Sequence, residues 1–265
     1  MVRYLTLCAF FITSIFAATV TQPLVGVQEN EATIAIDNID VGMSGFIVKQ
    51  IDENHSAIIN SAVVTKFDKN TTTATLKLGE YTELSQDYLP KGKWQANKDD
   101  KAVLAVGYSR AMLIAPSENV YYRITRALPS LEWLHPDIFA SMLSAHGHPT
   151  PLKEDFEQTC ERMSVGLLYF YIKPNLFTLD CKSMKLLQIT PAPLDVEKLK
   201  LPFYSRVEKI NANWFGEGSS RLKAYDPYYY EFLIKNNSQN KELYNLVKEQ
   251  NLTDMLDEFD MKDTK

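Results

Sequence analysis

Residues 160–181 read CERMSVGLLYFYIKPNLFTLDC, and this stretch decides how the second half of the chain folds. Val165 to Ile172 is a strand-like run of aromatic and aliphatic residues. Lys173-Pro174-Asn175 is a turn, and Leu176 to Leu179 is a second strand-like run. A hairpin brings its ends together, so Cys160 and Cys181 are placed to meet. An even cysteine pair in an oxidising compartment is expected to bond. Closing a loop of that size stabilises by roughly 3 kcal/mol in the chain-entropy picture. The competing reading is two separate buried thiols, distinguished from a bond by Cα spacing.

Working outward, Ser130 to Ser144 reads as a helix, with Gly147 placed to stop it and Pro149 and Pro151 beyond. Leu152 to Met163 is a second helix with acids in its first turn, where they suit the helix dipole. Val120 to Thr125 and Met184 to Ile189 read as further strands, which makes residues 116–193 an α+β domain ending near Pro191 and Pro193. Residues 23–115 read as a β domain, a small barrel or sandwich. Its strands are Ala32 to Ile36, Gly45 to Ile51, Ser56 to Thr65, Thr73 to Leu78 and the long run Ala102 to Ala115. Turn clusters at Asp52-Glu53-Asn54, Asp68-Lys69-Asn70 and Lys91-Gly92-Lys93 separate them. Residues 194–265 read as a helical C-terminal extension, from apolar spacing in Val196 to Ala212, Pro227 to Lys235 and Lys241 to Phe259. Tyr228-Tyr229-Tyr230 is expected to pack against the body, and Asp254 to Lys265 to fray. The fold class expected is therefore α+β, with a disulfide-linked hairpin in its second unit.

The first seventeen residues have the order of a secretory signal: Arg3, an apolar run from Tyr4 to Phe16, then Ala17. The run falls short of the about 20 apolar residues a bilayer span needs. Two competing readings are an uncleaved anchor, because Ile15 is not small, and lipid attachment at Cys8. The latter leaves almost no apolar segment ahead of the cysteine. An exported chain follows, in the periplasm or at the cell surface, with no integral membrane span in the mature protein. With 45% hydrophobic residues the chain can bury a sizeable core. A formal charge of −5 with scattered lysines argues against nucleic-acid partners.

Signals for catalysis are weak. Gly107-Tyr108-Ser109-Arg110-Ala111 approaches the Gly-x-Ser-x-Gly elbow, but Ala111 replaces the second glycine and the segment continues as a strand. His146-Gly147-His148 offers two imidazoles two residues apart, as a metal chelate does. It sits in a Gly/Pro loop with no third ligand fixed by spacing, so a solvated loop is the expectation and no metal is assigned. His135, ahead of Pro136-Asp137, reads as a helix-entry residue. No Gly-rich phosphate loop or isolated carboxylate pair appears. The expectation is a binding or structural protein, with no enzyme activity and no cofactor.

Three groups of segments carry a family resemblance. The first is Gly42-Met43-Ser44-Gly45-Phe46-Ile47-Val48 with His55-Ser56-Ala57-Ile58-Ile59 and Ala62-Val63-Val64. The second is Tyr108-Ser109-Arg110-Ala111-Met112-Leu113-Ile114-Ala115-Pro116. The third joins Cys160 to Val165-Gly166-Leu167-Leu168-Tyr169-Phe170 and Leu179-Asp180-Cys181. In order and spacing they resemble the N-terminal region of the plasminogen-binding surface proteins of ε-proteobacteria (Helicobacter and Campylobacter relatives), from about Val41 to about Leu222. The resemblance implies host plasminogen binding at the cell envelope without a catalytic site. Relatives of that kind carry a long, charged, lysine-rich tail after this region, whereas this sequence stops at Lys265. The alternative is a periplasmic structural or assembly factor that contacts other envelope proteins and does not bind plasminogen.

Kringle domains bind a lysine zwitterion: a carboxylate pair meets the ammonium, cationic side chains meet the carboxylate, and aromatics line the stem. Lys265 presents both charges on one residue. Lys262 is an internal candidate, with Asp260 and Asp263 standing in for the carboxylate. Each charged contact in a partly desolvated groove is worth on the order of 1–3 kcal/mol.

Overall fold

The computed structural model describes residues 19–81 and 94–261. The export segment 1–17, the Lys91-Gly92-Lys93 turn, Lys262 and Lys265 lie outside the described residues. Among the described residues, β1 (Val20–Gln28), β2 (Glu31–Ala35), β3 (Ser44–Gln50), β4 (Ser56–Asp68), β5 (Thr73–Glu80) and β6 (Lys101–Leu104) close a barrel in the order β1-β2-β5-β4-β3-β6. Every pairing in it is antiparallel, and Val20 opposite Leu104 helps make the seam. The closed form therefore holds, and the sandwich alternative does not. Alternation explains it. Ala32 and Ile34, then Ala74, Leu76 and Leu78, then Ala102 and Leu104 point inward and are buried. Lys77, between Leu76 and Leu78, and Lys101, just before Ala102, are exposed. Alanines beside leucines suit the narrow interior of a small barrel. At Gly45 a Cβ would lie 2.1 Å from the Val103 carbonyl oxygen, so β3 approaches β6 more closely than any side chain permits.

The run Ala102 to Ala115 is not one strand, and the chain leaves the barrel at Leu104, ahead of the expected boundary at 115. Ala105 and Gly107 take positive φ values of 58° and 78° and turn the chain. The remainder, β7 (Arg110–Ile114), enters a second sheet with β8 (Glu132–Leu134), β9 (Leu167–Ile172), β10 (Asn175–Asp180) and β11 (Leu186–Pro191), in the order β11-β10-β9-β7-β8. β7 runs parallel to β8 and β9; β9, β10 and β11 form an antiparallel meander. The helices are α1 (Glu118–Ala127), α2 (Pro136–His146), α3 (Lys153–Arg162), α4 (Tyr225–Asn236) and α5 (Lys241–Glu249).

This second sheet is covered on both sides. Ala111, Leu113, Leu167, Tyr169 and Tyr171 belong to the same core as the barrel interior and α1. Met112, Ile114, Leu168, Phe170 and Ile172 belong to a second core with α2 to α5, where Phe139, Phe156 and Phe170 meet Tyr229 and Phe232. A sheet buried on both faces reads as a continuous apolar run, which is why Val165 to Ile172 lacks alternation.

Several elements depart from expectation. Val120 to Thr125 is helical, not a strand: Val120, Tyr121 and Ile124 share the buried side of α1, behind Ser117 at its start. The helix expected from Ser130 begins only at Pro136, because the residue before a proline is pushed out of helical geometry. Glu132–Leu134 instead pairs as a strand. Val196 to Ala212 forms no helix, since Pro202 would remove a helical N–H and clash with the preceding turn. The C-terminal part is thus irregular to residue 224, with Phe203, Tyr204 and Ile210 buried as separate anchors. Lys241 to Phe259 divides into α5 and a 3-10 segment, Thr253–Glu258. Rather than fraying, that segment packs Met255, Leu256 and Phe259 against the helical core. Tyr229 and Tyr230 are buried, as packing required.

Cys160 and Cys181 are bonded, with Cα atoms 5.8 Å apart. Next to Cys181, the fully buried Asp180 ties the two halves together. Its Oδ2 accepts from the Ser44 N–H at 2.9 Å, the Ser44 hydroxyl at 2.7 Å and the Tyr108 hydroxyl at 2.7 Å. Oδ1 accepts from the N–H groups of Lys182 and Ser183. Burial first, and then the Asp180 charge, push the Tyr108 phenol far above its ordinary value, so it remains a donor.

Candidate functional site

The residues with the most chemistry gather where α2 ends and α3 begins. Gly147 ends α2 with φ of 74°, and the His148 N–H returns to the Leu143 carbonyl. His146 and His148 therefore flank the glycine on a fixed turn. Asp155 stands in the first turn of α3, where its Oδ2 accepts the Leu152 N–H at 2.8 Å. Both imidazoles point their Nδ1 at this carboxylate. His146 Nδ1 lies 2.8 Å from Oδ1, and His148 Nδ1 lies 3.0 Å from each oxygen. Because a carboxylate only accepts, both rings are assigned the Nδ1–H form. Asp155 is 3% exposed, and the histidine side chains are 26% and 23% exposed. The pair expected to sit in a solvated loop is instead held on a buried acid. Sequence spacing missed Asp155 because its nearness depends on a turn through Pro149 and Pro151; its visible signal was an acid at a helix start.

A second segment braces this turn. Asn213 donates its backbone N–H to the Gly147 carbonyl and its side-chain amide to the His146 carbonyl. Thr150 donates to Gly218 and, through its hydroxyl, to the Ser220 carbonyl at 2.6 Å. Between these ties, Trp214 is 100% and Phe215 86% exposed. A separate groove of about 400 Å³ is lined by Leu199, Leu201, Arg206, Lys209 and Arg221. Two adjacent aromatics in water on a braced loop have the character of a docking tip.

The remaining sequence candidates fall elsewhere. Ser109 is exposed in the turn before β7, and no helix follows it, so the nucleophile elbow is not formed. His135 caps α2, its Nδ1 accepting the Asp137 N–H at 3.2 Å. Among the described residues, no helix is long and apolar enough to cross a membrane. Lys262 and Lys265 lie outside the described residues, so no geometry accompanies them.

Comparison with known proteins places the chain. The family model described as "Plasminogen-binding protein pgbA N-terminal" matches residues 19–233. Two relatives, the plasminogen-binding proteins PgbA of Helicobacter pylori strains J99 / ATCC 700824 and ATCC 700392 / 26695, are each 29% identical over 201 residues. That covers 75% of this chain and 43% of each relative. The chain thus spans less than half the length of the curated relatives it matches. No solved structure matches it. The matched span takes in the whole barrel, the whole second sheet and most of α4, and the chain belongs to the family of plasminogen-binding protein pgbA N-terminal regions.

Proposed function

We propose that this chain is an exported bacterial envelope protein that binds host plasminogen, with Lys265 and Lys262 as the lysines offered to kringle domains. The observation that carries the reading is the family match over residues 19–233, with relatives named for plasminogen binding. Export is supported by two features. The match begins directly behind the signal-like residues 1–17, and the Cys160–Cys181 bond is of a kind kept in oxidising compartments. Binding needs no chemistry from the protein: a kringle reads an ammonium and a carboxylate at fixed separation, which a lysine with a nearby carboxylate such as Asp260 or Asp263 supplies. The test is to titrate the mature protein with isolated kringle domains, with and without a free lysine analogue. Binding that the analogue abolishes and that falls in Lys265→Ala and Lys262→Ala supports the reading. Binding indifferent to the analogue removes the lysine mechanism, and no binding to plasminogen at all removes the function.

A second reading is an envelope structural or assembly factor, favoured by the exposure of Trp214 and Phe215 on a braced loop. A Trp214→Ser/Phe215→Ser variant that keeps plasminogen binding but loses defined periplasmic partners in a crosslinked pull-down would support it. A partner set identical to wild type would count against it.

A further inference from the structure

We propose that His146, His148 and Asp155 form a binding site for one divalent transition-metal ion, with zinc as the ion the donors fit best. One ligand atom from each residue lies within 4.8 Å of the others, two imidazole nitrogens and one carboxylate oxygen. Two nitrogen donors and one oxygen suit zinc and its borderline neighbours; calcium and magnesium require shells built of oxygen. In a tetrahedral zinc site with bonds of about 2.1 Å, neighbouring donors stand roughly 3.4 Å apart. The Nδ1 to carboxylate separations here are 2.8 and 3.0 Å. Admitting the ion therefore asks the rings to withdraw by about half an ångström, with each Nδ1 proton passing through solvent to the free Nε2 of its own ring, so that both imidazoles stay neutral.

The site is built rather than accidental. Asp155 is buried and its position is set by the start of α3, while the histidine backbone is clamped by Asn213 and the loop by Thr150. Rigid second-layer contacts of this kind hold ligands in register before the metal arrives. Partial exposure of the two rings gives the ion a route from solvent. Three protein donors leave a fourth tetrahedral position for water or for a side chain of a bound partner, as in open zinc sites.

The experiment is calorimetric titration of chelator-treated full chain with zinc chloride, with magnesium chloride as the control. Wild type is expected to take up one zinc ion and to melt at a higher temperature with it; magnesium should give neither effect. His146→Gln/His148→Gln keeps amide donors for Asp155 but offers poor ligands, and should weaken zinc binding about 100-fold or more, at or above the cost of losing an outer-shell partner. If that variant does not fold, cobalt(II) titration of wild type decides, since tetrahedral nitrogen and oxygen coordination gives intense visible bands. Zinc uptake equal in wild type and the double variant overturns the proposal, because the ion then sits elsewhere, for example at the exposed His55–Asp52 pair. Absence of both zinc heat and tetrahedral cobalt bands in wild type overturns it equally. Neither result touches the plasminogen reading, which rests on different residues.

Discussion

The barrel and the second sheet draw on the same apolar residue types and solve burial in different ways. β5 buries Ala74, Leu76 and Leu78 and leaves Lys77 exposed, so one row of side chains suffices once the strands close on themselves. β9 and β10 bury every residue along their lengths. They need two separate covers, the barrel with α1 on one side and α2 to α5 on the other. Closure lets the barrel satisfy its strand edges from within. Coverage makes the second sheet depend on what is tied to it, and its ties are the disulfide and Asp180.

The largest effect is expected where the two regions join. Asp180→Ala leaves the Ser44 N–H, the Tyr108 hydroxyl and the N–H groups of Lys182 and Ser183 without their acceptor. Losing hydrogen bonds at a buried acceptor costs about 1–3 kcal/mol each, less at the half-buried N–H groups of Lys182 and Ser183, and relaxation recovers part of it, so a loss of about 4 kcal/mol is expected. That corresponds to a fall of roughly 8–16 °C in melting temperature for a chain of this size. Thermal unfolding of the variant checks it. A change of under 1 kcal/mol would show that the barrel and the sheet are held together by apolar packing alone.

A smaller and more local loss is expected from the disulfide. Cys160→Ala/Cys181→Ala opens a loop with a sequence separation of 21 residues, worth about 3 kcal/mol in the chain-entropy picture. Native-state amide exchange should quicken in α3, β9 and β10 while β2 and β5, remote from the bond, keep their protection. Equal quickening in β2 and β5 would mean that the barrel is no more independent than the sheet.

This contrast also explains what the sequence disclosed. The inner barrel strands β2 and β5 were legible because alternation is a period-two signal that needs no knowledge of neighbours. The hairpin was legible because its turn and its two cysteines are local. Ala102 to Ala115 was not, since a continuous apolar run does not say which sheet receives it, and the break at Ala105 and Gly107 is a backbone turn inside that run. Val196 to Ala212 carried apolar residues at helical intervals, yet Phe203, Tyr204 and Ile210 are buried as anchors of an irregular strap. Proline at position 202 was the competing signal. The two histidines were visible and their acid was not, because Asp155 reaches them across a turn whose geometry only the folded chain fixes.

The smallest expected effect concerns the helical cover alone. His135 Nδ1 must be unprotonated to accept the Asp137 N–H that caps α2. Burial holds the imidazole below its ordinary value and Arg206 adds to this, against the opposing pull of Asp137. A base whose folded value is depressed stabilises above its unfolded value, about 6.5, and loses that contribution as pH falls through the folded one. Lowering pH from 7.5 to 5.5 should therefore destabilise wild type more than His135→Asn, which keeps a capping oxygen and has nothing to titrate. Melting temperatures of both proteins across that range, taken as a difference so that other histidines cancel, check the sign. The difference should shrink at high pH and favour the variant at low pH. If the two curves run parallel, protonation at this cap does not reach the stability of the helical layer, and the dependence of the sheet on that cover is carried by its aromatic packing instead.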